Sequence, residues 1–203
     1  FEKQGAEIVG AWSTDGYDHE ESKSVRGDNF VGCAFDEDNQ PDESEGRAQK
    51  WVEQIKGEGI AMLAVAGAGV PNGAVQKPVL KRATVTRAGS PEMKAMLLYS
   101  TTTGNTETAA GYIADATGLE AVDIGDASVD DIKAADSLII GAPTWHTGAD
   151  SERSGTAWDE FLYGDLTGLD LKGKKVAIFG MGDQAGYADN YCDAMDELAT
   201  CFE

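Results

Sequence analysis

A strand-length apolar run, Ala95–Tyr99, passes directly into Ser100-Thr101-Thr102-Thr103-Gly104-Asn105-Thr106 and then into a helix-compatible stretch from Glu107 that stops near Gly118. No other feature limits the fold as tightly. Two further apolar runs, Ser137–Ala142 and Val176–Gly180, recur after polar loops and helical periods, and Leu119–Ile124 supplies a fourth strand. Uninterrupted apolar strands separated by helices are the pattern of a parallel sheet covered on both faces. From Lys94 onward the chain therefore reads as α/β.

A loop of hydroxyls with one glycine, set between a strand and a helix N-terminus, can cradle a phosphate. Backbone N–H groups and threonine hydroxyls donate to it, and the helix dipole favours the anion. The same residues can also simply cap a helix. The loop lacks the Gly-Lys-Ser/Thr of a P-loop and the three spaced glycines of a dinucleotide fingerprint, so neither nucleotide reading fits. Thr-x-Thr-Gly-x-Thr suits a single monophosphate.

Two more loops follow strands. Gly141-Ala142-Pro143-Thr144-Trp145-His146-Thr147-Gly148 succeeds the third, and Gly180-Met181-Gly182-Asp183-Gln184-Ala185-Gly186-Tyr187-Ala188-Asp189-Asn190 the fourth. Each carries an aromatic residue to the carboxyl end of the sheet, where open α/β folds bind ligands. One such aromatic is often a surface plug. Two of them beside a phosphate loop describe a slot for a flat ring.

Together the three loops resemble the FMN-binding loops of flavodoxins: Thr101–Thr106, Pro143-Thr144-Trp145-x-x-Gly148 and Gly182-Asp183-Gln184-x-Gly186-Tyr187-x-Asp189-Asn190. Asp150–Tyr163 is similar to algal flavodoxins. The resemblance implies an α/β, flavodoxin-like doubly wound five-stranded parallel sheet, order 2-1-3-4-5, with helices on both faces. It implies that Thr101, Thr102, Thr103, Gly104, Asn105 and Thr106 hold the FMN phosphate, and that Trp145 and Tyr187 cover the two faces of the isoalloxazine. The peptide between His146 and Thr147 would turn toward the ring N5, with Gly148 keeping the loop permissive. Asp183 and Asn190 would bond the pyrimidine edge from the loop that begins at Gly182. Pro143 and Thr144 complete the site set, in which no metal ligand and no catalytic residue is expected.

Residues 94–203 supply only the first four strands of such a domain. The rest resembles residues 1–59. Ala6–Trp12 reads as the fifth strand, and Ser13–Gln40 looks like the insertion and strand continuation of long-chain flavodoxins. Asp42-x-x-Glu45 forms a capping-box pattern, and Ala48, Trp51, Val52 and Ile55 fall at the spacing of an amphipathic closing helix. The two halves thus stand in permuted order. The chain ends Cys201-Phe202-Glu203 and begins Phe1-Glu2-Lys3, and overlaying the shared Phe-Glu gives an unbroken helix end. We expect either a register of a tandem polyprotein or a true circular permutant.

Charge separates the remaining segment. The chain carries 16 basic and 36 acidic side chains, a formal −20. Ile60–Ser90 contains no acid and four bases, Lys77, Lys81, Arg82 and Arg87, which leaves 12 basic and 36 acidic groups elsewhere. An apolar run followed by acid-free Ala, Val, Thr and Arg is either a plastid-type presequence in mid-chain or a linker, and residues 60–93 are expected to lie outside the fold. The run Ile60–Pro71 falls short of the ~20 residues a membrane span requires. Cys33, Cys192 and Cys201 form no CxxC pair and are odd in number, against a disulfide framework or zinc site; they are expected reduced and packed.

So acidic a surface disfavours nucleic acid and anionic membranes and favours basic partners. By resemblance the chain is a low-potential one-electron carrier without substrate turnover of its own. It would act in a plastid stroma between photosystem I and ferredoxin–NADP reductase, as a monomer or as a unit of a tandem chain. The alternatives are a flavodoxin-like subunit held in a photosynthetic complex and, more weakly, an FMN-dependent quinone reductase. His146 replaces the Asn expected at its position, as a tolerated substitution or as an imidazole that titrates beside the ring. His19 lies among acids and reads as surface.

Overall fold

The first apolar strand shows in miniature how the chain folds. In a computed structural model, Lys94–Tyr99 sends Met96 and Leu98 into one core and Ala95 and Leu97 into another, so neither face of the strand meets water. The structure describes residues 4–15, 22–39, 43–64 and 93–203. His19, Asp42, the joint residues 1–3 and the segment 65–92 lie outside them.

In chain order the sheet strands are β1 (Glu7–Val9), then the short pieces β2 (Trp12–Ser13), β3 (Val25–Arg26) and β4 (Asn29–Phe30), then β5 (Cys33–Asp36). Helix α1 (Ser44–Gly57) and β6 (Leu63–Ala64) follow. After the undescribed segment come β7 (Lys94–Tyr99), α2 (Asn105–Thr117), β8 (Ala121–Asp123), α3 (Val129–Ala134), β9 (Ser137–Pro143) and α4 (Ala157–Tyr163). The chain closes with β10 (Lys175–Gly182), the single-turn α5 (Gln184–Tyr187) and α6 (Ala194–Phe202).

All pairings in the main sheet are parallel. β9 lies between β7 and β10, in the register Ala95↔Ser137 and Lys175↔Ser137. β8 and β6 share the free side of β7, since β6 pairs with Lys94 and Ala95 and β8 with Leu97–Tyr99. At the opposite edge β1 and β5 share the free side of β10 in the same way, at Lys175–Ala177 and Phe179–Gly182. Seven strands therefore fill five positions. Counting from β7, that is the doubly wound order 2-1-3-4-5 that the resemblance implies.

Two cores flank the sheet. Helices α1 and α2 cover one, through Trp51, Val52, Ile55, Ala109 and Ile113; α3, α4 and α6 cover the other, through Ile132, Trp158, Phe161, Leu198 and Phe202. Each large indole is buried with its N–H satisfied: Trp51 donates to the carbonyl of Gly10 at 2.8 Å and Trp158 to that of Gly141 at 2.7 Å, as a buried tryptophan requires. Ala48, Trp51, Val52 and Ile55, the expected apolar stripe, are all fully buried. Gly141 is fixed by packing, since a Cβ there would stand 2.0 Å from the Phe179 ring.

Two expectations need correction. The fifth strand ends at Val9 rather than Trp12, because Gly10 turns at φ +83° where a Cβ would strike Ile55 and Trp51. The chain then leaves the main sheet, builds the antiparallel β2-β4-β3 unit and returns as β5. Helix α1 starts at Ser44 behind Glu43, and Asp42, the first residue of the expected capping box, lies outside the described residues. The fold also takes in residues beyond 59: Ile60 and Ala61 are buried, and Leu63–Ala64 pair with β7. Absence of acid marks a change of composition, whereas burial follows the apolar side chains at its start. The three cysteines are free and buried, as expected. Among the described residues no helix is long and apolar enough to cross a membrane.

Candidate functional site

Four loops meet at the carboxyl ends of β5, β7, β9 and β10 and enclose one open cleft. The β7–α2 loop is shaped from within. Thr101 Oγ1 accepts the N–H of Gly104 at 3.0 Å, and Gly104 takes φ +91° immediately before α2. Gly104, the residue before α2, has no side chain with which to cap the first turn, and the first-turn backbone N–H groups of a helix are the arrangement that binds anions. Thr106 is 1% exposed, and its Oγ1 has no hydrogen-bond partner among the described residues. A buried hydroxyl without a partner costs free energy, and here it stands in the cleft wall with Thr103 and Asn105.

The β9–α4 loop is held from behind. The N–H of Thr144 donates to the carbonyl of Met181 at 3.0 Å, and Thr144 Oγ1 accepts from Ala194 N at 2.9 Å. Trp145 and His146 both donate their backbone N–H to the carbonyl of Arg153, at 3.0 and 3.1 Å. The indole of Trp145 is thereby left 46% exposed at the cleft, with Pro143, Thr144 and Thr147 beside it. In the β10–α6 loop Asp183 caps α5 through Gly186 N at 2.8 Å, and Tyr187 stands 55% exposed.

Eleven of the sixteen expected binding residues line the cleft: Thr103, Asn105, Thr106, Pro143, Thr144, Trp145, Thr147, Gly182, Asp183, Tyr187 and Asn190. Thr101, Thr102, Gly104, His146 and Gly148 do not. Thr101 braces the loop, and Gly104 and Gly148 supply positive φ, at +91° and +76°. His146 turns its Nδ1 to the carbonyl of Glu152 at 2.5 Å and lies over Gly155. Asp183 and Asn190, expected to address a ring edge, also hold internal partners, the latter donating to Asp193 Oδ2 at 3.4 Å.

Glu37, Met181 and Tyr191, outside the expected binding set, complete the wall. The rule that strand carboxyl ends build the site would have found Glu37, which directly follows β5. Its carboxylate accepts from Asn105 Nδ2 at 3.3 Å. Partial burial is the largest cause raising its pKa above the usual glutamate value, with Asp183, Asp38 and Asp36 adding to it and the Asn105 bond opposing. Asp36, Asp38 and Asp183 bring carboxylate oxygens within 4.8 Å of one another. Among the described residues no Lys, Arg or His lines the cleft. The arrangement can take a phosphate ester through neutral donors and a planar ring between two half-exposed aromatics.

A flavodoxin family model matches residues 97–203. Over 109 residues the chain is 48% identical to a flavodoxin from a Synechocystis species and 45% identical to one from Synechococcus elongatus, in each case over 52% of this chain and 61% of the relative. The chain thus spans about three fifths of the length of the curated relatives it matches. A solved structure of Fusobacterium nucleatum flavodoxin bound to flavin mononucleotide superposes with a TM-score of 0.46 at 22% identity, covering 53% of this chain and 63% of that one.

Proposed function

The chain belongs to the flavodoxin family, and from that premise we propose that it binds FMN and serves as a low-potential one-electron carrier with no substrate turnover of its own. The observation that carries this reading is the juxtaposition of the orphaned Thr106 hydroxyl with Trp145 and Tyr187 in one cleft. Bound FMN supplies the one-electron redox chemistry.

The protein's own residues do the rest. Thr103, Thr106 and the first-turn amides of α2 would hold the phosphate. Trp145 and Tyr187 would flank the ring and exclude water from it. Glu37 and Asp183, with no cation on the wall among the described residues, set a negative potential in the cleft that disfavours further negative charge there. That lowers the tendency to accept an electron.

We place the carrier in a plastid stroma, between the acceptor side of photosystem I and ferredoxin–NADP reductase. The net charge of −20 supports basic docking partners, reached by electrostatic steering, and the cyanobacterial source of several relatives supports a photosynthetic setting. The permuted order of the two halves, of long-chain algal type, belongs to the same proposal. It is supported by the parallel pairing of β1 and β5 on β10 and by the bond from Gly5 N to the carbonyl of Glu203 at 2.6 Å. A tandem chain satisfies the same contacts.

The test is titration of the protein with FMN, followed by stepwise reduction under visible absorbance. We expect quenched flavin fluorescence and bound-flavin bands that change in two one-electron stages. A protein that leaves FMN fluorescence unchanged refutes the reading. Complexes with basic partners should dissociate at roughly a few hundred millimolar salt; a complex that persists there would instead indicate a bound subunit.

A further inference from the structure

Between β1 and β5 the chain leaves the sheet, and part of this excursion returns to the back of the cleft. Ser22, Lys23 and Ser24 lie against the β10–α6 loop. Ser22 Oγ donates to the carbonyl of Tyr191 at 2.7 Å, and Lys23 N donates to Asp193 Oδ1 at 2.7 Å. Ser24 Oγ donates to the carbonyl of Cys192 at 2.6 Å and accepts from Asp196 N at 3.1 Å. Both serines and Asp193 are buried. The segment they hold is strained, since Cys192 takes φ +56° without being glycine, a conformation that persists only where its surroundings enforce it.

The same hub reaches the other aromatic loop. Arg153 Nη1 donates to the carbonyl of Asp193 at 3.2 Å and to Asp196 Oδ2 at 3.1 Å. Glu197 accepts the N–H groups of Glu152 and Arg153 at 2.7 and 2.8 Å, and the Tyr163 hydroxyl as well. The carbonyl of Arg153 in turn fixes the backbone of Trp145 and His146. From the insertion, Lys23 Nζ adds a bond to the carbonyl of Ala149 at 3.2 Å.

We infer that the inserted segment is a brace: Ser22 and Ser24 position the Trp145 and Tyr187 loops as one unit, through the buried hub of Asp193, Arg153 and Glu197. Neither serine lines the cleft, so they act only by fixing loops that do. The phosphate cradle stands apart, since none of these bonds reaches residues 101–106. The inference rests on the flavin-binding reading for what the two loops hold. It adds that the insertion confers ring affinity and not phosphate affinity.

The experiment uses the full chain with Ser24→Ala, and Ser22→Ala as a second variant should the first fail to fold. FMN, riboflavin and inorganic phosphate are the probes. Losing a buried partner should weaken FMN and riboflavin alike, by about tenfold. Phosphate affinity should be unchanged, and the visible circular dichroism of the bound flavin altered. Without any flavin, amide exchange in residues 145–155 and 183–193 should quicken while that of α2 stays as in the wild type. Flavin affinities within about twofold of wild type, or a loss confined to the phosphate-bearing ligand, overturn the brace. A wild-type chain that binds no flavin refutes the functional reading and this one together. Binding by wild type with unaltered variants refutes only the brace.

Discussion

The backbone N–H of Trp145 donates to the carbonyl of Arg153 at 3.0 Å, so a half-exposed indole is held by a buried arginine's main chain rather than by its own packing. Replacing that indole should therefore separate binding from stability. Trp145→Leu is expected to leave the unfolding free energy of the flavin-free protein within about 0.5 kcal/mol of wild type. Riboflavin affinity should fall by about 1 kcal/mol or more, the scale of a lost aromatic stack. Denaturant unfolding of the two flavin-free proteins checks the first half, and fluorescence titration with riboflavin the second.

Thr106 predicts an opposite pattern. Its hydroxyl is buried without a partner among the described residues, so Thr106→Val removes an unpaired polar atom while keeping the side-chain shape. The flavin-free protein should gain about 1 kcal/mol. FMN binding should weaken about tenfold, the cost of one hydrogen bond to a charged ligand, and riboflavin binding should not. Equal losses for both flavins would place the hydroxyl away from the phosphate.

The contrast between these residues and Glu37 shows what the sequence could and could not reveal. Trp145, Tyr187 and the Thr101–Thr106 loop are contiguous stretches that follow recognisable strands, so residue order alone places them at one end of the sheet. Glu37 joins them only because β5 lies beside β10, a neighbour 146 positions away in the register Cys33↔Phe179 to Asp36↔Gly182. The apolar stripe of α1 was equally legible, because its period depends on the helix alone. The end of β1 at Val9 was not, since it depends on Trp51 and Ile55 lying under Gly10. The bonds from Ser22 and Ser24 to residues 191–193 are of the same long-range kind; neither serine carries a local signal.

Glu37 gives a pH-dependent test. Burial and the neighbouring Asp183, Asp38 and Asp36 raise its folded-state pKa above the ordinary 4.5. The folded chain then binds this proton more tightly than the unfolded chain does. Between the unfolded value and the raised one, stability falls as pH rises, and the ionised group remains unfavourable above that window. Glu37→Gln should accordingly melt higher than wild type at pH 7, and the gap should close as pH falls through about 4.5. A gap that is constant with pH would show that the carboxylate's charge is not what strains this wall.

Gly141 carries the sharpest prediction about the scaffold. It pairs with Tyr99 in β7 and with Phe179 in β10, and its carbonyl accepts both the Trp158 indole N–H at 2.7 Å and the N–H of Ser100 at 3.2 Å. A Cβ at this position would stand 2.0 to 2.4 Å from three atoms of the Phe179 ring. That ring lies edge-on to Trp51 at 6.4 Å and to Phe35 at 6.3 Å, so it has little room to retreat. Gly141→Ala should cost about 3 kcal/mol, the upper range for overpacking a filled core, read as a lower denaturant midpoint. Because Gly141 N-terminally adjoins Ala142 and Pro143, the displaced strand should also lower affinity for FMN and riboflavin by the same factor. A variant as stable as wild type would mean that the core around Phe179 yields far more readily than its packing indicates.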